Sequence, residues 1–215
     1  MGGEQLEEVS TFKYLGATLS RDGTCTKDIQ ICIATASAAL AKLTKILKSD
    51  IAFKTKYHLY KSLVVSVLSY GCEAWTLTAE SERRIEAFEI KSFRKLLGVT
   101  YRDCKTNAEI RQTVQNYVGS QEPLLATVKR RKLSWYAHLT RHDSLAKTIL
   151  QGTVQGGRRR GRQRKSWLDN VKSWTDLTTP ELLVASADRS TWRRTSASAA
   201  LRSPRRRPRH GSDLT

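Results

Sequence analysis

The sequence predicts a mainly α-helical protein: a small β-hairpin at the N-terminal end, a helical bundle behind it, and a basic helical C-terminal region running into a disordered tail. Three observations carry this. A short alternating stretch precedes residue 23. From residue 26 onward apolar residues recur at alternating spacings of three and four. Charge is also divided unevenly along the chain. Residues 1–128 hold 17 Lys and Arg against 14 Asp and Glu, whereas residues 129–215 hold 21 against 6.

The first element is read from Val9 to Asp22. Thr11 to Gly16 alternates in part, Ala17 to Ser20 continues the pattern, and Asp22-Gly23 supplies a turn. Two short strands are marginal alone in water, so the hairpin must pack on the following helices or on further sheet. The first helix starts at Thr26, with Ile29, Ile33, Ala36, Leu40, Leu43 and Leu47 as its apolar stripe. A second spans Phe53 to Tyr70 with Tyr57, Tyr60, Val64, Val67 and Leu68 inward, and Gly71 stops it. A third begins at Thr78, carries Ile85, Phe88, Phe93, Leu96 and Leu97, and ends at Gly98. A short helix from Thr106 to Tyr117 buries Ile110, Val114 and Tyr117 and closes at Gly119.

Pro123 to Leu139 forms a basic helix with Leu125, Val128, Trp135 and Leu139 on one side. Gly152 to Arg162 is a Gly/Arg-rich loop. Trp167, Val171 and Trp174 mark another amphipathic helix, and Pro180 opens a last one through Leu182, Leu183 and Trp192. Beyond Arg194, Ser/Arg/Pro composition predicts disorder.

Composition narrows the function classes. The net charge of +18 and the basic C-terminal part favour a polyanionic partner. Adhesion to anionic lipid is the rival, but Gly156-Gly157 and Gly161 interrupt the main basic run, so no long basic amphipathic helix forms. No signal peptide is read at the N-terminus, and Cys25, Cys32, Cys72 and Cys104 form no CxxC pair. Reduced thiols in a nuclear or cytoplasmic, non-secreted protein are therefore expected. His138 and His142 stand four apart, but a zinc site needs two close ligand pairs and no Cys lies near them in sequence, so no metal is assigned.

The candidate site is the basic, tryptophan-studded block. Lys129, Arg130, Arg131 and Lys132 precede Trp135; Arg141 follows; then Arg158, Arg159, Arg160, Arg162, Arg164 and Lys165 place six cations in eight residues before Trp167. Such crowding repels itself and suits a phosphate backbone, whose bases can stack on exposed rings. A nuclear-localisation signal is a compatible reading of the same run. Trp135, Trp167, Trp174 and Trp192 sit at helical spacing with other apolar residues, and core packing is their expected role. No Asp-Asp pair exists, and Asp22 and Asp28 read as turn-forming and helix-capping residues.

Three stretches together resemble the C-terminal part of non-LTR (LINE-type) retrotransposon reverse transcriptases. Phe12-Lys13-Tyr14-Leu15-Gly16-Ala17-Thr18-Leu19 looks like the primer-grip hairpin that follows the palm strands. Leu59 to Leu63 and Leu68-Ser69-Tyr70-Gly71-Cys72-Glu73-Ala74-Trp75-Thr76-Leu77 are similar to the helical thumb segment. Val128 to Trp135, with His138, Arg141-His142 and the Gly157–Trp167 run, resembles the post-thumb basic region.

The resemblance covers about Val9 to Arg209. It implies RNA-directed DNA polymerase parentage with template RNA and a DNA primer as partners. It divides the chain into a palm-end hairpin (1–23), a thumb-like helical domain (24–120), a basic Trp-containing helical region (121–194) and a basic tail (195–215). It implies primer-grip-like roles for Phe12, Lys13, Tyr14, Leu15 and Gly16. The family's Tyr/Phe-x-Asp-Asp strand, which holds magnesium in the palm, lies upstream of this stretch, so no catalytic residue carries over and the chain alone is expected to be inactive. The competing expectations are a degenerate retroelement reading frame without selected activity and a stand-alone DNA- or RNA-binding protein, for which the helices 163–174 and 181–192 would imitate a helix-turn-helix.

Overall fold

A computed structural model describes residues 8–142, 145–151 and 164–202. Two antiparallel strands open it: β1 (Thr11–Tyr14) pairs with β2 (Ala17–Ser20), with Phe12 opposite Leu19 and Tyr14 opposite Ala17. Every regular element after them, among the described residues, is helical, as the periodicity requires.

The reversal between the strands falls at Leu15-Gly16, not at Asp22-Gly23. Leu15 (φ 48°) and Gly16 (φ 88°) both adopt the left-handed conformation that a two-residue hairpin turn needs. Leu15 is held there by the Tyr70 hydroxyl, which donates to its carbonyl at 2.9 Å. A Cβ on Gly16 would meet the Tyr70 ring at 3.0 Å, so the same tyrosine excludes larger residues. Asp22-Gly23 instead turns the chain out of β2, with the Asp22 carboxylate accepting from the Thr24 amide.

Helix α1 (Thr26–Lys42) runs into the short α2 (Thr44–Lys48) at Leu43, and Ile29, Ala36, Leu40, Leu43 and Leu47 are buried as one stripe. The expected second helix is interrupted. α3 (Phe53–Leu59) passes through a π-helical segment (Tyr60–Val65) into α4 (Ser66–Leu68), and Gly71 takes up the left-handed conformation just beyond. α5 (Ala79–Leu97) starts on Thr78, whose hydroxyl accepts from the Ser81 amide, and stops on left-handed Gly98. α6 (Asn107–Val118) is entered through a Thr106/Glu109 capping box. Tyr117 does not point inward: it is 53% exposed and rests on the Phe53 ring at 4.8 Å.

α7 (Leu124–Arg141) is the central strut, followed by α8 (Leu145–Gln151) and α9 (Trp167–Thr175). The last expected helix is two: α10 (Thr179–Ala187) and α11 (Arg189–Leu201). Asp188 breaks them by turning its carboxylate onto the amides of Ser190 and Thr191. The tail expected to be disordered from residue 195 is helical as far as Leu201. Ser196, Ala199 and Ala200 are buried, and Arg202 pairs with Asp176 at 2.8 Å. Small side chains look like low complexity in sequence, but here they allow α11 to lie close against α7. One apolar cluster runs from Ile29 to Ala199, crossing residue 120 without a break. The expected loop over 152–162 and the tail beyond Arg202 lie outside the described residues.

Removing residues 195–215 should lower the thermal midpoint, because it strips the last turns of α11 from the core. A loss on the order of 2 kcal/mol corresponds to roughly 4–8 °C in a chain of this size. Truncation after Arg202, which keeps α11 whole, should cost less; equal midpoints for the two truncations in a melting experiment would contradict the α11 assignment.

Candidate nucleic-acid interface

The basic tetrad at residues 129–132 lies on α7, where each residue advances about 100° around the axis, so four consecutive cations cannot share a face. Lys129 and Lys132, three apart, point inward and are 1% and 0% exposed. This corrects their assignment as phosphate contacts: neither ammonium reaches the surface.

Lys129 lies 3.8 Å from the Glu82 carboxylate, donates to the Arg202 carbonyl at 3.3 Å and faces the Trp174 ring at 5.3 Å. Burial pulls its pKa down, with Glu82 and Glu86 opposing. Lys132 has no carboxylate partner among the described residues. It donates to the Trp75 carbonyl at 2.7 Å and to Asn170 Oδ1 at 3.0 Å, with the Trp167 ring centroid 4.3 Å away and that of Trp174 at 5.6 Å. Burial brings its pKa down to about 7. Two acceptors match the two hydrogens of a neutral amine, so the surroundings suit the uncharged form.

These contacts serve one segment. Between α4 and α5 the chain crosses the interior as a 3-10 turn (Cys72–Ala74) and an extended stretch, with Trp75 and Leu77 buried. Asn170 on α9 pairs with Leu77 like a neighbouring strand, accepting from its amide and donating to its carbonyl, each at 2.8 Å. Trp167 Nε1 donates to the Glu73 carbonyl at 2.8 Å, and Arg131 donates to that of Ser69 at 3.0 Å. Asp28 is not a helix cap. It is buried, accepting from Trp75 Nε1 and from the Thr18 amide, both at 2.7 Å, and so ties hairpin, α1 and Trp75 together. Sequence reasoning gives Asp28 only a local turn or capping role and does not single out Asn170, because a lone carboxylate and a lone amide carry no periodic signal of a distant partner.

Outward from this network lies the face that can meet a ligand. Arg131, Trp135, His138 and His142 form an exposed stripe along α7 at spacings of four, three and four. Trp135, expected in the core, is 39% exposed, with its ring set edge-on to Trp167 at 5.7 Å. The two histidine rings lie 5.3 Å apart. Trp174 and Trp192 are buried as expected. Arg164 and Lys165 are exposed beside the start of α9, and Arg164 bonds the Asp22 carbonyl of the hairpin. Arg130 faces solvent in a bidentate pair with Glu122 at 2.8 and 2.9 Å, and half-buried Arg141 donates to the Ser186 carbonyl at 3.2 Å. Arg158, Arg159, Arg160 and Arg162 lie outside the described residues. The structure thus brings Arg131 and Trp135 onto one face, and Trp135 meets the Trp167 that follows Arg164 and Lys165.

The primer-grip-like residues Phe12, Lys13, Tyr14, Leu15 and Gly16 are all exposed on the hairpin. Its apolar face, with Phe12 at 56% and Tyr14 at 58%, is turned to solvent. Among the described residues no group of three or more His, Cys, Asp or Glu could hold a metal ion, all four cysteines are free, and no helix is long and apolar enough to cross a membrane.

The sequence is 26% identical over 171 residues to an uncharacterized transposon-derived protein of Caenorhabditis elegans, an alignment covering 78% of this chain. The match takes in 61% of that protein, so the chain spans about three-fifths of its relative's length. No family model matches, and no solved structure matches.

Lys132 gives the buried network a pH signature. With its folded pKa near 7 and an ordinary value near 10.5, the unfolded chain binds more protons than the folded one across that window. Its contribution to stability therefore rises as pH increases from about 7 toward 10. Relative to Lys132→Met, the wild type should gain stability between pH 7 and 9 in urea unfolding, by up to about 1.4 kcal/mol per pH unit. Parallel stability–pH curves would remove the assignment.

Proposed function

We propose that this chain is a nucleic-acid-binding part of a transposable-element protein related to non-LTR reverse transcriptases. It binds RNA or DNA strands through the α7–α9 face. The similarity to a transposon-derived protein supports the origin. The hairpin, thumb-like and basic stretches read in the sequence support the reverse-transcriptase parentage.

The observation that carries the binding reading is the half-exposed Trp135 between Arg131 and His138 on one stripe, with Arg164 and Lys165 near the adjoining Trp167. A ring flanked by cations offers a base a stacking surface while guanidinium and ammonium groups meet its phosphates. Binding is the activity this reading assigns to the described residues. Lys129 and Lys132 belong to the scaffold in this reading, Arg130 is taken up by Glu122 and Arg141 by the Ser186 carbonyl. That leaves Arg131, Arg164 and Lys165 as the phosphate contacts among the described residues, with Arg158, Arg159, Arg160 and Arg162 assigned to phosphate from the sequence alone.

About six phosphate contacts predict a log–log salt slope of about −4 to −5 in a filter-binding titration, with single strands at the shallower end. Trp135→Ala should weaken single-strand binding by about 1–3 kcal/mol while leaving the thermal midpoint within a few degrees of wild type. Binding indifferent to salt, or to Trp135, would refute the proposed interface.

A further inference from the structure

A second basic site lies away from the C-terminal block, among the helices of the N-terminal half. The last turns of α2 and α5, together with Lys56 on α3, border a groove of about 440 Å³ whose wall includes Thr44, Lys48, Lys56, Arg94, Lys95 and Thr100. It holds four cations and no carboxylate. None of the four cations takes part in an ion pair among the described residues. Arg94 is fixed at the groove by one terminal nitrogen, which donates to the Lys105 carbonyl at 2.7 Å and to Asn107 Oδ1 at 3.1 Å. Its other terminal nitrogen has no partner among the described residues.

Cations gather at helix C-termini to offset the dipole, but that does not account for this number. Each helix end carries about half a negative charge, and only α2 and α5 end here, so roughly one negative charge faces four positive ones. Three of the terminal carbonyls are also already used. Lys95 and Arg94 accept from the Gly98 and Val99 amides, and Ile46 accepts from the Ser49 amide. Four like charges around one concavity repel unless an anion enters. The Thr44 and Thr100 hydroxyls already donate, to the Ala41 carbonyl and the Asp103 carboxylate, so the donors left for a phosphate are the three ammonium groups and the open-forked guanidinium.

We propose that this groove binds phosphate groups of a nucleic-acid strand, as a second contact separate from the α7–α9 face. The identity of the ligand rests on the function proposed above; the site itself is independent of that face. Neutralising Lys48, Lys56 and Lys95 together leaves Arg94, which braces the loop before α6, in place.

The test titrates a fluorescein-labelled single-stranded oligonucleotide over a range of salt. It compares the full chain, the variant Lys48→Ala/Lys56→Ala/Lys95→Ala, and the variant Arg131→Ala/Arg164→Ala/Lys165→Ala. Thermal midpoints report that each folds. The groove variant should keep its midpoint, lose on the order of tenfold in affinity, and shallow its log–log slope by about 2. An unchanged slope and affinity overturns the groove, whatever the other variant does. If only the α7–α9 variant loses binding, the groove falls and the proposed interface stands; if only the groove variant does, the reverse holds. A full chain that ignores the oligonucleotide but binds phosphatidylserine vesicles through these lysines overturns both.

Discussion

The structure depends on satisfying the backbone of one irregular segment that has been taken out of water. Between Cys72 and Leu77 the chain is neither regular helix nor strand, yet Cys72, Trp75 and Leu77 are buried. A buried amide or carbonyl left unpaired costs about 1–3 kcal/mol, and such a segment has several. Their partners come from far along the chain: Lys132 for Trp75, Asn170 for both polar groups of Leu77, Trp167 for Glu73, and the Cys25 sulfur for the Thr76 amide. The N-terminal helices therefore cannot close over this segment without α7 and α9, which is why one apolar cluster runs from Ile29 in α1 to Ala199 in α11.

That requirement divides the cations into two populations. With no acidic partner among the described residues, Lys132 stays buried because its nitrogen lies against the Trp167 and Trp174 rings and serves two acceptors. A charged ammonium there would carry a desolvation penalty that ring faces offset only in part, and the depressed pKa expresses this. Lys129 accepts burial on different terms, facing Glu82. Their neighbours Arg130 and Arg131 remain exposed at the surface, Arg130 ion-paired and Arg131 donating to a carbonyl. Equal charge in sequence thus conceals opposite roles, separated only by the helical phase.

Much of the fold was legible because helix ends carry chemical marks. Thr78, Gly98, the Thr106/Glu109 pair and Gly119 each stand where the structure starts or stops a helix. The division at Asp188 was not legible, since neither Gly nor Pro marks it, and the Ser190 and Thr191 amides reveal the cap only in three dimensions. The Ser/Ala-rich end of α11 resembled a solvated tail because small residues contribute little hydrophobicity individually. Their burial is decided by how closely α7 approaches. The interface was legible in part. Its tryptophans and arginines were identified, but the same apolar spacing that correctly buried Trp174 also buried Trp135, which lies 39% exposed at the edge of the stripe.

The exposed face and the buried network share a ring. Trp167 faces the Lys132 nitrogen at 4.3 Å, meets Trp135 edge-on at 5.7 Å, and anchors its own indole nitrogen on Glu73. Trp135 is therefore backed by a side chain that cannot move without disturbing the buried lysine and the segment it holds. A stacking surface built this way is preorganised, so a base loses little affinity to ordering the protein on arrival. It follows that the two tryptophans differ in kind: loss of Trp135 is a surface event, whereas loss of Trp167 removes the support of the interface and a partner of the core together.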